Sequence, residues 1–438
     1  MVDFDPRSQM VRLSLLVMTV LLCMNPLTGG SDGKAGKAVE KEAETEGVHF
    51  DMTMAERGIE WLKFIKKGAD EPEMKRVFLQ HVAPTRGCRA IVHHWARFME
   101  WDNEAFYRFI AEAMGRIPSK REIRNEDGTL TRFGARRELW THALDHIEEL
   151  EQRVRDIKAV NFAERSLGLA KKYLPETATI QVDFYFVLFG GSNAFAVGKE
   201  NGLDLLQIPL TDEGKPDIDE ISLIIAHELH HRGFSSAADL GMKEVQNEKN
   251  IMLLGILAAE GMPTYFIDKP FNHLDRFRAS DDPLTREVAS DWEKHSARLP
   301  ELYREAERDL GRNLAGEMSQ EQIMKTWLAG AKGAAYVLGC DMMSVIHRYL
   351  GLESALSIAN DYRTFLAMYN RAALKANQNG EKRFVFNHGL VKNVLIFKKW
   401  GDAHFSVNFF ALSGSNRYRH PCRPWHSPKG GRPCSGNT

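Results

Sequence analysis

The sequence predicts an α+β chain, mostly helical, in which a small twisted sheet lies beside one buried helix. Three observations carry that reading. Apolar residues recur at helical spacing from about residue 49 to 170, β-branched and aromatic residues then cluster between 177 and 208, and the segment Ile218–Gly233 is apolar around most of a helical circumference. That last segment also holds His227, Glu228, His230 and His231. Periods of 3.6 and 2 residues distinguish helix from strand in such patterns.

At 438 residues the chain is long enough for two or three compact units of about 150 residues each. Its 43% hydrophobic and 27% charged residues, with a formal net charge of −1, describe an ordinary globular protein. That balance argues against nucleic acid or an anionic membrane surface as the main partner. Residues 1–30 read as a signal peptide or N-terminal anchor: Arg12 precedes the apolar run Leu13–Met24, and Asn25, Pro26 and small residues follow. The run is shorter than the roughly 20 residues a membrane span needs, so membrane contact is expected only through that anchor. Export is therefore expected, to the periplasm, the extracellular space or a surface-attached state. Asp3 and Asp5 are unusual ahead of such a segment and make Met10 an alternative start, while Leu22 before Cys23 is larger than a lipobox accepts. Residues 31–48, charged and with only Val39 and Val48 as larger apolar side chains, read as a solvated linker.

From 49 to 170 the pattern predicts helices over Met54–Lys67, Glu73–Gln80, Arg89–Trp101, Asn103–Met114 and Arg136–Lys158. Trp61, Trp95, Trp101, Phe106, Phe109 and Trp140 recur on their apolar faces as a candidate core. The texture changes after Pro175. Thr177–Phe189, Ala194–Val197 and Leu203–Ile208 read as strands, separated by the turn Gly190–Asn193 and by Lys199–Gly202. Asn193 and the strand beside it are weighed as contacts for an extended peptide, against a plain turn role. Asp217 and Glu220 then resemble a capping box behind Pro216, and Gly233 reads as a C-terminal stop. Helical patterns continue to about Ala376. The segment 171–378 is the expected catalytic core, and 379–438 a C-terminal extension whose end, Ser413–Thr438, lacks periodicity and reads as disordered. Cys88 and Cys340 are expected as core or free thiols, and Cys422 and Cys434 are placed to pair with each other.

His227-Glu228-Leu229-His230-His231 is an HExxH motif. Residues four apart share a helix face, so His227 and His231 are able to aim two nitrogens at one Zn²⁺, held at roughly 2.0–2.1 Å. Glu228 is then in reach of a water on that metal and able to take its proton. Burying two His and a Glu in an apolar helix needs a compensating partner, and a metal supplies one. A catalytic zinc needs a third protein ligand. Glu260 is the one charged residue in the apolar stretch Ile251–Phe266, whereas Asp239, Glu244 and Glu248 lie in polar sequence. No third His follows at the HExxHxxGxxH spacing. His230 points about 100° away from His231 on a helix and reads as packing or as a support behind the ligands.

A Glu on a second helix after HExxH resembles the gluzincin branch of zinc metallopeptidases. The pieces Phe189–Ala194, His227–His231, Glu260-Gly261 and Tyr336–Gly339 further resemble a family of predicted zinc-dependent peptidases, over Gly190–Tyr349. The resemblance implies a zincin-like core, its small sheet beside the HExxH helix, and one Zn²⁺ per chain on His227, His231 and Glu260. It implies hydrolysis of a peptide or protein substrate with Glu228 as general base, and Tyr336 as a donor to the oxyanion of the tetrahedral intermediate. Thr264 departs from the gluzincin pattern: many members have an Asp four residues after the ligand Glu, which orients a ligand His. Here that partner must come from elsewhere. Two other classes stay open on the residues alone, an inactive zinc-binding interaction protein and a helical binding protein in which HExxH is accidental. Substrate, cleavage preference, endo- or exopeptidase action and oligomeric state have no signature in the chain.

Overall fold

The computed structural model describes residues 47–96, 101–126, 128–191, 194–197, 200–241, 248–269, 272–280 and 283–396. The expected signal peptide, most of the linker, Asn193, Cys422, Cys434 and the end of the C-terminal extension lie outside them. Within them the fold is mostly helical with one four-stranded sheet, ordered β1-β2-β4-β3. The strands are β1 (Gly47–Asp51), β2 (Gln181–Val187), β3 (Ala194–Val197) and β4 (Glu200–Asp204). β1 and β4 flank β2 in parallel, and β3 pairs antiparallel with β4 on the far edge.

The expected α+β class, mostly helical with a small sheet, is the one observed. The boundaries differ where packing overrides local preference. β1 falls at the end of the segment read as linker, and its Phe50 packs against Phe162, Phe184 and Phe186. The last strand begins at Glu200, three residues before the expected Leu203, and ends at Asp204. Asn201 and Gly202 are poor strand formers, yet each is needed there. Asn201 Nδ2 donates to the carbonyl of Glu228 at 2.9 Å, and the Phe195 ring occupies the space beside Gly202 where a side chain would stand. Strand preference reflects fit to neighbours more than an intrinsic backbone bias. The expected helix Arg136–Lys158 is two, Arg132–Asp145 and Ile147–Lys158, broken at His146 (φ −119°, ψ 49°).

The HExxH helix runs from Ile218 to Gly241, through Gly233 rather than stopping there. One interior glycine costs only about 1 kcal/mol, and the buried residues Phe234, Ala237 and Ala238 carry the helix onward. Asp217 caps its start, accepting from the Glu220 N–H at 3.1 Å. The reciprocal half of a capping box is absent: the Asp217 N–H goes to Pro209 O, and the Glu220 carboxylate pairs with Arg276 at 3.0 Å. Trp61, Trp95, Phe106, Phe109 and Trp140 are buried as expected, Trp101 partly so, in one core that extends from Met54 to Val394. Cys88 and Cys340 are buried free thiols.

Between β2 and β3 the chain turns around the buried carboxylate of Asp204. Its Oδ1 accepts from Phe189 N (3.0 Å) and Leu206 N (3.2 Å), and its Oδ2 from Gly190 N (2.5 Å) and Gly191 N (3.2 Å). Two donors hold the outward carbonyls, Trp140 Nε1 on Phe189 O and Arg136 on Gly191 O, each at 3.2 Å. These six contacts hold Phe189–Gly191 against Asp204, Trp140 and Arg136 where the chain leaves β2. Burial pushes the Asp204 carboxyl up to about 7, and the four backbone donors oppose that rise. Below a pH of about 4, Asp204 is protonated whether the chain is folded or not. Between about 4 and 7 the folded chain keeps a proton that the unfolded chain releases, so this stabilisation is lost as pH rises through about 7. An Asp204→Asn variant does not titrate there. In denaturant melts the stability of the wild type relative to Asp204→Asn is expected to fall from about pH 5 to about pH 8; a difference that grows over that interval contradicts the assignment.

Candidate metal centre

Three helices and one irregular turn build the site. The HExxH helix presents His227 and His231 one above the other, their rings 4.7 Å apart and edge-on. Behind it lies the helix Met252–Pro263, buried along its whole length, with Glu260 in its last turn. The helix Ala334–Leu350 packs on that second helix at a point where only glycine fits. A Cβ on Gly261 would stand 2.4 Å from the Gly339 carbonyl carbon, and one on Gly339 would stand 2.2 Å from Leu257 O. This contact sets the depth of the segment that carries Glu260.

The Glu260 side chain is fully buried, and its Oε2 lies 3.5 Å from His227 Nε2 and 3.6 Å from His231 Nε2. These separations exceed a good hydrogen bond. Accordingly His231 Nε2 and both Glu260 oxygens are buried without a hydrogen-bond partner, as is Glu228 Oε2. Two ligands at roughly 2.0–2.1 Å from one ion, at tetrahedral angles, stand about 3.3–3.4 Å apart. One ligand atom each from His227, His231 and Glu260 lie within 4.8 Å of one another, the one such group among the described residues. The donor set and its spacing fit a zinc ion, and so do the unpartnered atoms, because buried polar groups are costly unless paired.

The partner that Thr264 cannot supply is Asp268. Its Oδ1 lies 2.8 Å from His227 Nδ1, leaving Nε2 turned toward Glu260. In a regular helix Asp268 would sit about 80° round from Glu260, eight steps of roughly 100°. Instead Thr264–Asp268 forms a π turn, which takes more residues per revolution and brings Asp268 back beneath His227. The sequence signal was faint: a lone acid two turns after the ligand Glu, at a spacing an α-helix would misplace. Lys332 Nζ holds the other oxygen of Asp268 at 3.3 Å.

Burial lowers the basicity of His227, but Asp268 and then Glu260 outweigh it and push its pKa up to about 10 with no metal present. His231 is the opposite case, driven down to about 3 by burial and held neutral. Burial pushes Glu228 up to about 8, with His227 opposing. Burial also works against ionised Glu260, yet the nearby His231 and His227 keep its carboxyl below the ordinary value. His230 faces away, its Nε2 3.0 Å from the Tyr173 carbonyl. Tyr336 lies in the first turn of its helix, its ring 4.3 Å from Lys332 Nζ.

A buried pair of imidazoles four residues apart, closed by a Glu from a second helix, is the arrangement of a metal-dependent hydrolase. The chain belongs to the family described as "Putative zinc dependent peptidase (DUF5700)", whose model matches residues 82–378. That match includes helices between β1 and β2 as well as the metal centre. No curated protein and no solved structure matches the chain.

Carboxylates that orient a metal-bound His commonly affect affinity by about 10–100-fold. Asp268→Ala is expected to weaken zinc uptake by that factor, measured by competition with a chromogenic chelator, with the fold retained by circular dichroism. Equal affinities in the two proteins would remove Asp268 from the site. Gly339→Ala is expected to cost about 1–3 kcal/mol of stability through overpacking, read as a lower melting temperature.

Proposed function

We propose that the chain is a zinc peptidase of gluzincin type, binding one Zn²⁺ through His227, His231 and Glu260. The observation that carries this reading is the convergence of unpartnered buried atoms from these residues, next to Glu228. Zinc bound there supplies Lewis acidity, which polarises a peptide carbonyl and acidifies water. His231 is already neutral, as a ligand must be; His227, protonated without metal, gives up its Nε2 proton when zinc binds, and Asp268 at Nδ1 fixes which nitrogen it offers.

Glu228 acts as general base. Its carbonyl is anchored by Asn201 of β4, and its buried Oε2 has no competing hydrogen bond, so the carboxylate is free to accept a proton from the attacking water. The same oxygen then delivers that proton to the leaving amine, which breaks the peptide bond and restores the carboxylate. Without metal, burial raises the affinity of Glu228 for protons; a zinc ion on the adjacent ligands would oppose that rise and favour the carboxylate that accepts one. Tyr336 is proposed as donor to the oxyanion, from a helix locked to the Glu260 helix at Gly261 and Gly339. The substrate is a peptide or protein, met after export directed by residues 1–30.

Protein purified without added metal is expected to contain one zinc per chain and to cleave an unstructured protein such as casein. Glu228→Gln is expected to keep its zinc and lose about 10²–10⁴-fold in kcat, the usual contribution of a general base. Full hydrolysis by a zinc-loaded Glu228→Gln protein refutes the mechanism, and a Glu260→Ala protein that binds zinc like the wild type refutes the ligand set.

A further inference from the structure

We propose that Lys332 is a positioning residue of this site, tying the carboxylate that aims His227 to the ring of Tyr336 through one ammonium group. The inference rests on the zinc-peptidase reading and deepens it, because neither the HExxH motif nor the family description assigns a role to this lysine. Lys332 Nζ lies 3.3 Å from Asp268 Oδ2, and Asp268 Oδ1 in turn lies 2.8 Å from His227 Nδ1. The same Nζ stands 4.3 Å from the centre of the Tyr336 ring, within the range of a cation–π contact. Lys332 is only 16% exposed and Asp268 20%, so water screens the pair weakly.

The loop that carries Lys332 is built to hold it. Asp291 Oδ2 accepts from the backbone N–H of Ala331 (2.6 Å) and of Lys332 itself (3.3 Å). Gly330 has φ +105°, and a Cβ there would meet Asp291 Oδ2 at 2.4 Å. Gly333 is pressed against Trp327 O and Leu328, where a Cβ would stand 2.6 Å away, and the Tyr336 helix starts at the next residue. A flexible side chain on a mobile loop would supply charge without position. Here the backbone on both sides of Lys332 is fixed, which places the ammonium between two groups from different helical segments. Its charge also opposes the loss of ionised Asp268 to burial, after the larger effect of His227. One cation therefore contacts both the carboxylate directed at His227 and the ring of Tyr336.

The test is a double-mutant cycle read as zinc affinity, with kcat and KM measured alongside. Zinc alone is the probe, added to metal-free full-length protein against a competing chelator. Lys332→Met, which keeps the length and removes the charge, is expected to weaken zinc about 5–10-fold, below the 10–100-fold of a group that touches the ligand. In an Asp268→Asn background the same change is expected to alter affinity less than twofold, because its target is gone. Peptide cleavage by Lys332→Met is expected to lose kcat with KM within twofold, and Lys332→Arg to recover most of both losses. A purely structural lysine would instead give the same loss in both backgrounds. That result, or a Lys332→Met protein with wild-type zinc affinity, overturns the proposal. If Lys332→Met does not fold, Gly330→Ala replaces it in the cycle, because it shifts the loop that places the ammonium while keeping the lysine side chain itself. A wild-type chain that binds no zinc overturns the peptidase reading and this inference together. Zinc bound equally with and without the Lys332 charge overturns this inference alone.

Discussion

The structure depends on one costly act, the burial of five ionisable side chains at a single point in an apolar core. His227, Glu228, His231 and Glu260 are each at most 7% exposed, and Asp268 adjoins them. Removing such groups from water costs several kcal/mol apiece even after relaxation, and pairing offsets this only when geometry is good. Here the pairing is incomplete. Two imidazole nitrogens face one carboxylate at distances too long for strong hydrogen bonds, and three of the atoms concerned have no other partner. A divalent cation at the shared point resolves that conflict, because all three groups then become ligands.

Other features of the fold keep that point in place. Asn201 of β4 reaches across to the Glu228 carbonyl, which ties the sheet to the HExxH helix at the motif itself. Gly261 and Gly339 let two helices touch backbone to backbone, so the depth of Glu260 is set by contact rather than by flexible side chains. Asp204 of β4 holds Phe189–Gly191 where the chain leaves β2, and β4 pairs with the edge strand β3. The π turn at Thr264–Asp268 bends the ligand-bearing segment back under His227. Each device is local, and together they leave the ligand atoms little freedom to drift apart.

Much of the site was legible in sequence. HExxH is a spacing rule that needs only a helix, and Ile221, Ile225 and Leu229 guarantee a buried one. Glu260 was legible because one charge in a long apolar run must find a partner. The capping Asp217, the aromatic core of the first half and the strand Ala194–Val197 followed from equally local rules. The misreadings share a cause. Gly233 looked like a stop, Asn201 and Gly202 looked like a turn, and Gly47 and Val48 at the start of β1 looked like the end of a tether, because each has a weak local preference that a distant neighbour overrode.

The sequence by itself determined the chemistry available: two imidazoles and a base on one helix face, and a carboxylate obliged to meet a cation. Those are consequences of the helical repeat and of the cost of burying charge, and both act within a few residues. The tertiary structure decided which acid orients His227 and which cation steadies that acid. Asp268 arrives through a π turn that no periodicity announces, and Lys332 arrives from a loop more than sixty residues later. Contacts of that kind depend on how whole helices dock, and a one-dimensional pattern carries no record of a docking angle.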